Sequence, residues 1–482
     1  MEKQPPRQPS TWLSLIPVIA LVSMLAVSIY IFAGDALSGG SQIVLLLATA
    51  VCALIAVYRC RITWEDMEQQ IARNIYGIAP SLLILLLIGT LSGSWMVSGI
   101  VPSLIYYGLE IMQSDFFLAS CCILCSVVSV MTGSSWTTIA TIGIALIGIG
   151  EAQGFRTGWI AGAIISGAYF GDKMSPLSDT TVLAASVTGT PLFTHIRYML
   201  YTTVPSMVIA LTVFCAVGFT HQTTDASQIA AFSAALKNSF HITPWLFIVP
   251  LVTGILIARK TPSIVVLFAS SVLAGIFALI FQPEALVEIA GMPQGGVVPS
   301  IKGLLMTFYD STQLHTGNEA LDALVSTRGM SGMLNTIWLI ICAMCFGGAM
   351  SASGMLASIT RIFLHFMKGR TSVVASTIVS GLSLNICTAD QFIAIILNSE
   401  MFKEAYERMG FESRLLSRTT EDSVTVTSVL IPWTTCGMTQ ATILGVSTLT
   451  YLPYCIFNLV SPLMSMLIAA SGYKIFRKKE TQ

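Results

Sequence analysis

Four short polar runs interrupt apolar stretches of this 482-residue chain, and their residue types define the chemistry to look for. They are MTGSSWTT (131–138), GDKMSPLSDTT (171–181), SLNICTAD (383–390) and TTEDSVT (419–425). Hydroxyl, carbonyl and carboxylate oxygens of this kind suit a small, hard cation. Pro176 removes a backbone donor and crowds the preceding turn, so the second run breaks a helix and frees carbonyl groups. The half-helix ends at such a break add partial charge to the field a bound ion feels. A carboxylate placed there holds either a cation or a proton, because desolvation favours the neutral form and a nearby cation the charged one. That competition is sufficient for cation/proton exchange.

Asp179, beside the proline break, is the first candidate, followed by Asp422, Asp390 and Asp172, since ionisable groups at membrane depth are functional by default. The alternative for Asp179 is a cap on the second half-helix. Ser134, Ser135, Thr137 and Thr138 supply hydroxyls in the first run, and Ser175, Ser178 and Thr180 in the second. Asn385 and Thr388 do so in the third, Thr420 and Thr425 in the fourth. Asp179, Ser178, Ser135 and Thr137 form the expected Na+ ligand set. Lys173 reads as the one cation at depth: either a charge partner for Asp172, Asp179 or Asp422, or an ammonium that takes part in exchange. Glu421 reads as a site member or as a residue of the cytoplasmic rim, and His195, near Arg197, as a pH-sensing imidazole or a surface one with no role.

The elements that must position these groups follow from composition. Hydrophobic residues make up 54% and charged residues 10% of the chain, against about 25% charged in soluble domains. This excludes a soluble enzyme, a nucleic-acid binder and a disordered chain. Lys+Arg and Asp+Glu balance at 24 each. No phosphate loop, metal cluster or nucleophile triad is visible, so no cofactor is expected beyond Na+ and H+ as transported ions. Cys121, Cys122 and Cys125 have no His nearby and read as small hydrophobes. The first apolar run, 12–33, is too long for a cleaved signal and reads as a retained helix.

With roughly 20 apolar residues needed per crossing, clean spans fall at 12–33, 42–58, 78–98, 199–219, 244–257, 263–281, 332–351 and 451–473. The interrupted stretches 116–150 and 373–397 are expected as re-entrant hairpins, and 159–189 and 420–444 as broken transmembrane helices. On that topology most Lys and Arg gather on the side of both termini, leaving Arg156, Lys237, Lys302 and Arg328 outside; both termini are expected in the cytoplasm.

The two halves match weakly and in order. Segment 92–112 parallels 347–367 at an offset of 255, 133–146 parallels 384–397 at 251, 178–182 parallels 421–425 at 243, and Pro205 parallels Pro453 at 248. QSD follows Met112 and KGR follows Met367, so equivalent segments face opposite sides. The expected fold is an all-α polytopic membrane protein with an inverted-topology repeat, a design of secondary transporters. Its parts are 1–77, a first repeat over 78–219, a linker region over 220–330, and a second repeat over 331–482.

At GDKMSPLSDTTVLAASVTGTPLFTHIRYM (171–199), TRGMSGMLNTIWLIICAMCFGGAM (327–350) and GSSWTT (133–138), the sequence resembles the NhaC family of Na+/H+ antiporters. The resemblance covers residues 10–475. It implies a multi-pass transporter of the bacterial inner membrane, with Na+, H+ and the lipid bilayer as partners and commonly a homodimer. Alternating-access exchange of Na+ for H+ is the leading activity it implies. Na+-coupled carriage of an organic acid (malate/lactate type) or an amino acid is the alternative. The hairpin tips lack an Arg for bidentate carboxylate recognition, which leans toward small-cation exchange.

Overall fold

The computed structural model describes residues 8–32, 39–220, 226–259, 261–292, 296–316, 321–322 and 325–477. The protein is an all-α membrane protein with inverted-topology repeats. Nine of its described helices are long and apolar enough to span a membrane, or eleven when two bent pairs are each counted as one span. Hairpin 1 has the arms Phe117–Thr132 and Ser135–Ala152. It is followed by broken helix 1, with halves Thr157–Met174 and Asp179–Thr188. Hairpin 2 (Arg370–Thr388 and Gln391–Arg408) leads into broken helix 2, residues 413–428 and Thr435–Leu444.

Local chemistry explains each break. Gly133 ends the first arm of hairpin 1 in the left-handed region (φ 69°), and Ser134 restarts the chain as a helix cap that accepts from the Thr137 N–H. A Cβ at Gly133 would meet the Leu177 backbone at 2.7 Å, so the tip can be placed against the break of broken helix 1. Hairpin 2 repeats the device with Ala389 (φ 58°) and the Asp390 cap on Ile393 N–H. Asp390 is therefore fully engaged as a buried cap, with Thr435 Oγ1 also donating to it at 3.3 Å.

These caps fix the register of the repeat. Gly133 and Ala389, Ser134 and Asp390, the caps Ser178 and Thr434, and the terminating Gly189 and Gly445 are each 256 residues apart. The offset of 255 between the turns at Gly99 and Gly354 agrees with it. The offsets of 251, 243 and 248 read from short polar and proline matches are corrected by this frame, in which Pro176 pairs with Pro432. Low-complexity apolar sequence allows short matches to slip, whereas a helix cap has one position. Asp179 thus pairs with Thr435 and Asp422 with Ser166; the two aspartates are not repeat partners.

Two boundaries also move. The span expected at 78–98 is the end of a 34-residue helix, Trp64–Val97, whose polar first turns are capped by Thr63. Broken helix 2 begins at Ser413 rather than 420, which brings Arg418 into it.

Broken helix 1 lies tightly against the first arm of hairpin 1. A Cβ at Gly167 would stand 2.1 Å from the Cys122 carbonyl oxygen, and one at Gly171 would stand 2.4 Å from Ser129 Cβ. Cys121, Cys122 and Cys125 are buried free thiols in that arm. Gly167→Val is expected to push the two helices apart and destabilise the protein by roughly 1–3 kcal/mol or more, the usual range for overpacking. A thermal melt in detergent identical to the unmodified protein would contradict this close approach.

Candidate ion-translocation site

The candidate residues separate into three groups. The first surrounds a cavity of about 160 Å³ between the two hairpin tips, lined by Ser81, Ser134, Trp136, Asp172, Ser178, Asp179, Thr180 and Gln391 among others. Asp172 is buried, and Ser135 donates to its Oδ2 from both backbone N–H (3.2 Å) and Oγ (2.7 Å). Ser178 caps the second half-helix and its Oγ lies 3.0 Å from Thr180 Oγ1. Asp179 is the first residue of that half-helix and is exposed, lining this cavity and an adjoining one of about 370 Å³ with Thr132, Thr137 and Thr261. Of the expected Na+ ligand set, Thr137 Oγ1 is bonded to Ser134 Oγ at 3.2 Å and Asp179 stands at the mouth, while the buried carboxylate is Asp172. Thr138 Oγ1 donates to the Ser134 carbonyl at 2.9 Å within the hairpin tip, and Ser175 Oγ donates to the Val130 carbonyl at 2.8 Å, which ties the break to the first arm.

The second group is an ion pair inside the bundle. Lys173 and Asp422 are paired and both fully buried. Thr202 Oγ1 (3.1 Å) and Ser461 Oγ (3.2 Å) donate to the same carboxylate oxygen, from the helices Leu192–Thr220 and Ile456–Ser471. Asp172 and Lys173, adjacent in sequence, point into different groups, as neighbours on a helix must.

The expectation that Lys173 is the one cation at depth is corrected. Arg418 is also fully buried, with Nε 3.8 Å from Asp422 Oδ2. Glu421 is buried, not at a rim, and His195 is buried with Nδ1 2.7 Å from Ser417 Oγ, not a surface imidazole. The charge-based topology leaves Arg418 on the side of the termini rather than in the interior. The signal available was its place four residues before Asp422, on one helical face flanked by Ser417, Thr419 and Thr420. Glu421–Thr425 forms a single π-helical turn, a feature frequent at functional sites.

The third group surrounds hairpin 2. Asn385 Nδ2 donates to the Val424 carbonyl (2.8 Å) and Thr427 Oγ1 (3.2 Å), binding hairpin 2 to the π turn. Thr388 and Asp390 bond each other across the tip. Thr420 Oγ1 accepts from Ser399 Oγ at 3.4 Å, and Thr425 is buried in the π turn, its carbonyl accepting from Ser428 Oγ at 2.8 Å. These residues hold the hairpin; they do not join the Asp172 cavity, which hairpin 2 reaches through Gln391 and Phe392.

Inverted repeats whose hairpins and broken helices converge on buried charges are the build of a secondary transporter. The chain belongs to the Na+/H+ antiporter family, which it matches over residues 167–473. It is 35% identical over 440 residues to the malate-2H(+)/Na(+)-lactate antiporter of Bacillus subtilis, covering 91% of each chain. It is 35% identical over 433 residues to the Na(+)/H(+) antiporter NhaC of Alkalihalophilus pseudofirmus, covering 89% of this chain and 90% of that one. The arginine/ornithine antiporter ArcD of Halobacterium salinarum is 31% identical over 481 residues, 98% of this chain and 94% of its own.

Proposed function

We propose that this protein exchanges Na+ for H+ across the membrane by alternating access, with Asp172 as the exchangeable carboxylate. The observation that carries the reading is a buried carboxylate at the meeting of a hairpin tip and a helix break, reached through a polar cavity with Asp179 at its mouth. A Na+ ion there takes oxygens from Asp172, Ser135 and Ser178, and a proton competes with it for Asp172. Asp179 concentrates cations at the mouth. The adjoining cavity reaches Thr261 and Pro262, next to Arg259, on the face assigned to the cytoplasm by charge. A separate cavity of about 360 Å³ is lined by Glu151, Arg328, Thr442 and Gly445, and Arg328 belongs to the charges expected outside. Closing the first while opening the second is the alternation the reading requires.

A second reading, Na+-coupled exchange of an organic acid or amino acid, is favoured by the two buried cations, Lys173 and Arg418. Relatives named for malate/lactate and arginine/ornithine exchange support it. Purified protein in vesicles with an imposed pH gradient and an internal pH dye separates the two. Collapse of the gradient on Na+ alone is the expected result. No response until malate, lactate or an amino acid is added would replace the first reading with the second.

A further inference from the structure

Asp422 is one carboxylate between two buried cations. Its Oδ1 is crowded by Lys173, Thr202 and Ser461. Its Oδ2 accepts no hydrogen bond from a described residue, and Arg418 Nε is 3.8 Å away, one helical turn earlier. All three guanidinium nitrogens of Arg418 are buried, and none donates a hydrogen bond to a described residue. The guanidinium lies instead on the Tyr198 ring, 4.4 Å from Cζ to centroid. A desolvated cation–π contact returns about 2 kcal/mol, less than the several kcal/mol that burying an unpaired ion costs. Arg418 is thus held beside a carboxylate oxygen that it does not reach.

Tyr198 is itself anchored from the end of the chain. Its hydroxyl donates to the Lys474 carbonyl at 2.8 Å. The same C-terminal segment pairs with the start of broken helix 2, through the Phe411–Arg477 bridge and the Glu412 N–H on the Phe476 carbonyl at 3.3 Å. Between Arg418 and the second half of that helix lies the π turn that carries Glu421 and Asp422.

We propose that Arg418 is a positioning residue for the exchange, which takes over Asp422 when Lys173 lets go. The proposal rests on the Na+/H+ reading above. Arg418 needs to move only about 1 Å to bring Nε to an ordinary hydrogen-bond distance of about 2.9 Å from Oδ2. Asp422 is then paired in both arrangements. Lys173, carried on broken helix 1, is then free to part from Asp422 as that helix moves during alternation. Tyr198 is the resting place of Arg418 while Lys173 holds Asp422.

The test uses full-length variants in vesicles, with a Na+ jump and an internal pH dye. Arg418→Gln is expected to lower turnover about tenfold or more, the equivalent of the 1.5–3 kcal/mol of a charged hydrogen bond. Half-saturation by Na+ stays within about twofold, because the ligands at Asp172 are untouched. Arg418→Lys keeps the charge and recovers most of the turnover. Tyr198→Leu removes the resting place, leaves Arg418 on Asp422, and slows turnover without changing half-saturation. Should Arg418→Gln fail to fold, Tyr198→Leu carries the test, and normal turnover in that variant overturns the proposal. Arg418→Gln with full turnover overturns it as well, and so does a loss that Arg418→Lys does not relieve or that raises half-saturation. No Na+-driven proton movement in the unmodified protein overturns the exchange reading instead.

Discussion

Asp172→Asn is expected to weaken Na+ half-saturation by about 10- to 100-fold and to uncouple any remaining Na+ movement from protons. The range follows from loss of a charged ligand interaction of roughly 1.5–3 kcal/mol, at 1.4 kcal/mol per tenfold. Asparagine keeps the shape of the side chain and an oxygen for the Ser135 hydroxyl, so the hairpin tip remains docked. The melting curve should therefore stay close to that of the unmodified protein. Asp179→Asn is expected to change half-saturation by less than about threefold, because a charge exposed in a wide cavity is screened by water and salt. Vesicle assays of the two variants side by side decide between them. A silent Asp172→Asn with a dead Asp179→Asn would move the site to the cavity mouth and would remove the buried carboxylate from the ion path.

That ranking reverses the order in which the sequence suggests the aspartates, and the reason is physical. Helix ends leave local marks: Gly133-Ser134 and Pro176 to Ser178 announce the tip and the break because only certain residues satisfy left-handed turns and free N–H groups. The hairpins and the broken helices were legible on those grounds, and the membrane class from composition and apolar spans. Whether a carboxylate near a break points into the bundle or into water depends on helix phase and on neighbours distant in sequence. Asp172 is buried because Ser135, 37 residues away, closes on it. Asp179 is exposed because it opens a half-helix at the wall of the cavity. The same limit hid Arg418. Its sequence neighbours Arg414 and Glu412 form a half-buried pair near the start of the helix, and only the i,i+4 spacing to Asp422 distinguishes Arg418 from them. Only the arrival of Tyr198 and Asp422 makes it an interior cation. Asp390 shows the converse, since a buried aspartate at a hairpin tip can be consumed entirely by capping.

The Lys173–Asp422 pair is expected to respond unequally to loss of its two members. Removing one partner of a buried pair ordinarily destabilises by about 3–5 kcal/mol, because the other charge is left without compensation. Asp422→Asn should show the full effect or more, since both Lys173 and Arg418 lose their shared carboxylate. Lys173→Met should show much less, because Arg418 is already 3.8 Å from Oδ2 and closes on it. The double variant Lys173→Met/Asp422→Asn should recover part of the stability lost in Asp422→Asn, with one stranded cation rather than two. Transport should be absent in all three, as none retains both the carboxylate and the group that releases it. Thermal melts in detergent and vesicle assays on the same preparations check both halves. Equal destabilisation by the two single variants would mean that Arg418 does not compensate for Lys173, and that the pair is a simple two-member bridge. A stable but inactive Lys173→Met would instead separate the two duties of the site: Arg418 suffices to keep Asp422 folded into the bundle, and only Lys173 lets the charge pattern change during a cycle.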